Sequence, residues 1–289
     1  VAVGATAGTA QAADLTLAGN STWGTTVPVN APTAADNVNL DGFNLAIDES
    51  DVTAIGAITD TNATPDGNVT FDSNAGDNVS TAITVGSATL GSGNFVVQAT
   101  ENTVSANADA TAVTVTGSIT TTGNVTVTGG TNASNSSDAG DDATLNVAGN
   151  ITATGIVLAD GPDGLGTLVL NGTTAQTVTG VVSGNGSITV SNTHASGVTF
   201  SGDSTSTGTV TMNGTGIDQA VTFNGDWGAG TIVLGDNTGT DTKTATFNGT
   251  TQTIAATIAG GGAGDTVALV FTGGDTITLT GVATANIDT

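Results

Sequence analysis

Apolar and polar positions alternate in short phrases along this chain. Val198-Thr199-Phe200-Ser201-Gly202 returns as Val221-Thr222-Phe223-Asn224-Gly225, as Ala245-Thr246-Phe247-Asn248-Gly249 and as Leu269-Val270-Phe271-Thr272-Gly273. The phenylalanines are 23, 24 and 24 residues apart. Shorter echoes fall between them, at Val210-Thr211-Met212, Ile232-Val233-Leu234 and Ile277-Thr278-Leu279. Upstream the same beat runs through Val113-Thr114-Val115, Val125-Thr126-Val127 and Leu145-Asn146-Val147. Period-two alternation puts Val198 and Phe200 on one face of a strand and Thr199 on the other. Gly and Asn after each phrase supply tight corners. No stretch shows the 3.6-residue period of a helix.

Strand centres recurring every 10 to 13 residues predict an all-β chain, a β-solenoid in which each coil buries its apolar face only by stacking on its neighbours. A coil of about 23 residues rising ~4.8 Å is expected. Tandem antiparallel β-sandwiches are the alternative, because short strands at this spacing also build sandwiches. The phrase repeats in sequence as well as in pattern, which favours the solenoid. A longer echo links Leu170-Asn171-Gly172-Thr173-Thr174-Ala175-Gln176-Thr177-Val178 to Phe247-Asn248-Gly249-Thr250-Thr251-Gln252-Thr253-Ile254.

Four segments are expected. Residues 1–13 read as a signal-peptide remnant or an N-terminal donor strand. An N-terminal β domain or cap covers 14–130, with Trp23 closing an open end. A polar loop or joint spans 131–142, and regular repeats fill 143–289. Ala10-Gln11-Ala12 has the A-x-A form of a signal-peptidase site after a small, uncharged stretch, so export from a bacterial cell is expected.

Composition then removes most chemistry. The 289 residues hold one basic residue, Lys243, against 25 acidic ones, a net charge of −24, with no Cys and a single His. Such a chain cannot lay a basic track on nucleic acid. Without Cys it has no disulfide or thiolate metal site, and one His excludes HExxH zinc centres. No run of about 18 apolar residues offers a membrane-spanning helix. Only 9% of residues are charged, so Thr, Ser, Asn and Gly must build the surface.

An enzyme is not expected. Polysaccharide lyases need basic groups, and only Lys243 and His194 are present; both read as solvated turn residues. A hydrolase could use a carboxylate pair drawn from Asp141, Asp142, Asp160 and Asp163, with Trp23 or Trp227 as a sugar platform. Calcium is the more plausible ligand, because hard cations take several oxygens and the turns are rich in Asp and Asn. The candidate ligands are Asp72, Asp77, Asp138, Asp141, Asp142, Asp160, Asp163, Asp236, Asp241 and Asp265. None matches an EF-hand loop, and Asp-Gly or Asn-Gly turns explain the same residues without a metal.

The Gln-Thr-Val/Ile phrase before a Gly-rich turn, within Thr/Asn/Gly/Val repeats over roughly 110–289, resembles the passenger regions of bacterial autotransporters. Rickettsial-type surface-layer outer-membrane proteins are the nearest in style. That resemblance implies a β-solenoid outside the cell, acting as coat, filament or adhesin. The family carries a C-terminal membrane barrel with aromatic girdles, and no such segment precedes Thr289. Two functional expectations follow. One is a secreted subunit of a surface layer or filament, partnered by other copies of itself through its β-edges. The other is the adhesive passenger of a larger outer-membrane protein, partnered by host or surface glycans.

Overall fold

A computed structural model describes residues 15–23, 36–48, 52–62, 67–73, 80–100, 110–130, 140–214, 217–228, 230–235, 241–249, 251–260, 266–272 and 276–279. These residues form no helix, and every strand pairing among them is parallel. The chain is a β-solenoid, and the antiparallel sandwich is thereby excluded.

Three parallel ladders run along the molecule, giving each complete coil three sides. In one coil, β12 (Ala143–Val147) lies on the third face. β13 (Ile151–Ala159) then bends through a register shift between Thr152 and Gly155, so its start belongs to the first face and its end to the second. β14 (Gly166–Leu170) returns to the third face directly above β12. The bend falls at Gly155, where an added Cβ would lie 2.8 Å from Asn124 Oδ1.

On the first face one inward column can be followed by register: Leu15, Val38, Ile58, Ala88, Ile119, Ile151, Val178, Phe200, Phe223, Phe247 and Phe271. Steps between successive members range from 20 to 32 residues, the longest being Ile119 to Ile151. The expected 23-residue coil therefore holds only from Val178 onward. Earlier coils keep the same three strands and lengthen their connections. Strands on either side of 131–142 still pair directly, β9 (Thr111–Val115) with β12.

Alternation fixes the core. Strand after strand shows buried and half-buried residues in turn, so Val, Ile, Leu and Phe line a narrow interior and Thr covers it. The four phenylalanines of the repeated phrase stack ring on ring, with centroids 5.5, 5.4 and 5.6 Å apart. Trp227 inserts edge-on against Phe200 and Phe223 at 5.1 and 4.5 Å. Offset and edge-to-face contacts of this kind add to the gain from burial.

Corners are built from side chains that reach the neighbouring coil. Between the first and second faces an asparagine ladder climbs through Asn20, Asn44, Asn68, Asn94 and Asn124. Each side-chain Oδ1 accepts the backbone N–H of the next member, at 2.8 to 3.0 Å. Glycine columns fill positions where coils approach most closely. A Cβ on Gly186 would overlap the carbonyl oxygen of Gly166, one on Gly208 that of Gly186, and one on Gly230 that of Gly208.

Candidate functional site

Charge is sorted by the fold. Of the 25 acidic residues only Asp48 and Asp72 lie within a strand, and the others occupy connections. Between Glu49 and Asp163 most carboxylates fall in the segments that lead from the second face to the third. One edge of the prism is therefore acidic while the strand faces are Thr, Ser, Asn, Val and Ala.

Six of the ten candidate calcium ligands lie among the described residues. Asp77, Asp138, Asp236 and Asp265 lie outside them. Asp142 Oδ1 accepts the N–H of Leu165 at 2.8 Å, and Asp160 Oδ1 accepts that of Gly166 at 2.9 Å. Both carboxylates thus act as corner caps at the acidic edge. Asp141 is fully buried at the same corner, and its carbonyl accepts the N–H of Gly130. Half-buried Asp163 accepts the N–H of Gly140 through its carbonyl at 3.4 Å. Among the described residues no group of three His, Asp or Glu side chains converges in the way a metal centre requires.

Asp72, on β6 (Val69–Ser73), stands apart on the second face, in register with Asp48 below and Gln98 above. Its Oδ2 accepts Gln98 Nε2 at 2.7 Å and Thr100 Oγ1 at 2.8 Å. Oδ1 is buried and makes no hydrogen bond. Burial pushes this carboxyl above its ordinary value, and the two donors only partly oppose the shift.

Lys243 corrects the expectation of a solvated cation. Its side chain has no exposed surface, and Nζ donates to the carbonyls of Gly214 at 2.5 Å and Ile217 at 2.8 Å. Asp241, itself nearly buried, lies 3.8 Å from Nζ. The reason is strand parity: Lys243 shares the inward face of β21 (Thr242–Phe247) with Ala245 and Phe247. It occupies the register position directly above Gln219.

The glutamines explain what that position does. Gln176 Nε2 donates to the carbonyls of Val147 and Gly149, each at 2.9 Å, and Gln219 Nε2 to those of Val190 and Asn192 at 3.0 and 3.2 Å. Gln252 Nε2 donates to the carbonyls of Phe223 and Gly225 at 3.1 and 2.5 Å. In each case the acceptors lie 29 and 27 residues back, at the corner of the preceding coil. Lys243 reaches one 29 residues back in the same manner. These buried clamps were missed in the sequence, although the repeated Asn-Gly-Thr-Thr phrase marks two of them. The N–H of Gly172 donates to Gln176 Oε1, and that of Gly249 to Gln252 Oε1.

The remaining chemical candidates are also structural. Trp23 and Trp227 are each only 2% exposed, so neither forms a sugar platform or an end cap. Trp23 lies in β2 (Ser21–Trp23), in register with Ile47. His194 does sit in a turn, half-buried, with its Nδ1 accepting the N–H of Ser196 at 3.1 Å. A depression of about 570 Å³ between Thr193, Asp218 and Thr242 holds one carboxylate, and Asp218 Oδ1 accepts the N–H of Thr242. No helix among the described residues is long and apolar enough to cross a membrane.

Compared with protein-family profiles, with curated proteins and with solved structures, the chain finds no match in any of the three.

Proposed function

We propose that this chain is a secreted bacterial structural protein, a subunit of a surface layer or extracellular filament whose copies join through β-edges. One observation carries the reading. The molecule is an uninterrupted parallel stack in which every polar clamp serves the coil next to it rather than a pocket. Such a stack presents unpaired strand edges and stacking side chains to whatever lies beyond its last coil. Phe271, the last ring of the aromatic column, is 46% exposed. A further coil laid on it would continue both the ring stack and the backbone ladder.

With a net charge of −24, copies brought together in a coat repel one another unless salt screens them or a divalent cation bridges them. Calcium at the acidic edge is the proposed bridge, held between copies rather than within one. Negative-stain microscopy of purified protein, with and without millimolar Ca²⁺ and after a chelator wash, tests both parts. Ordered fibres or sheets are expected, and their loss in chelator identifies the cation. Monomeric rods under every condition would overturn assembly and leave a displayed adhesin as the better account.

A further inference from the structure

The first face differs from the other two in what surrounds it. Its outward column runs Thr59, Thr89, Thr120, Thr152, Thr179 in unbroken register, flanked along the strands by Ser87, Ser118, Asn150 and Thr177. Thr89, Thr120, Thr152 and Thr179 are exposed. No charged residue occurs in Gly86–Asn94, Gly117–Asn124, Gly149–Gly155 or Thr177–Gly180, the segments that hold this face and its corners in four successive coils. The third face is also uncharged along its strands, but it borders the edge that carries Asp141, Asp142, Asp160 and Asp163. In a three-sided prism that acidic edge lies opposite the first face.

We propose that the first face is where a second copy of the chain packs side by side; this rests on the assembly reading above and names its lateral contact. Electrostatics selects the face. Strands of about five residues make it ~16 Å wide, which sets the acidic edge roughly 14 Å behind it. Two copies meeting through it hold their acidic edges about 28 Å apart, some three Debye lengths at physiological salt. Contact through either other face would bring those edges to its rim. Area is sufficient: ten register steps of ~4.8 Å between Leu15 and Phe271, times that width, give roughly 800 Å² per copy, the size of a standard interface. Both partners present the same repeat, so threonine methyls and hydroxyls of one column can settle between those of the other without loss of register.

The test compares two variants of equal added charge by sedimentation velocity over a concentration series. Thr89→Asp, Thr120→Asp and Thr152→Asp together place carboxylates on the first face. Thr84→Asp, Thr114→Asp and Asn146→Asp place them in one register column of the third. The first variant is expected to weaken lateral association by roughly tenfold or more, with the third-face variant close to the parent protein. Circular dichroism checks that both remain β-solenoids. Because the chain has no Cys, Thr152→Cys gives a second readout that does not depend on added charge. Oxidation should link copies through position 152, midway along the ladder, and not through Asn146→Cys. Association that survives the first-face charges, or disulfides that form equally at both positions, would overturn this interface while leaving assembly intact. A parent protein that stays monomeric throughout would remove both.

Discussion

Lys243 shows how one side chain can be chosen by its position rather than its charge. It lies at a corner where other coils use glutamine, and its amine satisfies two carbonyls that would otherwise be buried without a donor. Lys243→Ala should therefore cost about 3 kcal/mol, since it orphans both carbonyls and leaves Asp241 without its nearby cation. Lys243→Gln, which restores a donor, should lose clearly less in thermal or denaturant unfolding. Asp72 makes the opposite case. Its folded carboxyl binds protons more tightly than the unfolded chain does, so folding is favoured at low pH and stability falls as pH rises through the window above 3.8. Asp72→Asn should raise the melting temperature at neutral pH and flatten that part of the pH profile. Much of this was legible in the residues. Gln176, Gln219, Lys243 and Gln252 all share the parity of the apolar residues that follow them, which marks them as inward. Charge and polarity argued for solvent, and parity won because the corner carbonyls supply the partners.

At the scale of elements, the strands could be read from alternation, and the ring stack from phenylalanines 23 and 24 residues apart. The corners were harder. Gly-Asn precedes a second-face strand at Gly67-Asn68, Gly93-Asn94 and Gly123-Asn124, and read locally it is only a turn. Its role lies in the next coil, 24 to 30 residues away, where Asn Oδ1 meets a backbone N–H. Asn94→Ala removes the acceptor used by Asn124 and the donor that reaches Asn68 Oδ1. A loss of about 1–2 kcal/mol is expected in equilibrium unfolding, with no change in the circular dichroism spectrum. Coil length was misjudged for a related reason. The connections between faces vary while the strands do not, so a period measured on the regular half does not carry to coils of 30 or more residues.

Across the whole molecule, the same features that make the fold legible leave little for catalysis. Both tryptophans and the lysine are spent on the interior, while the carboxylates at the described corners hold backbone amides in place. What remains outside is a repeated, nearly uncharged lattice of Thr, Ser and Asn, with acid confined largely to one edge. That distribution suits a subunit whose partner is another copy of itself. X-ray diffraction from oriented assemblies tests the account most directly. Coils continued from copy to copy predict a sharp reflection near 4.8 Å along the fibre axis, because the hydrogen-bonding direction of every ladder lies parallel to it. A 4.8 Å reflection perpendicular to the fibre axis, or fibres lacking one, would contradict growth through β-edges.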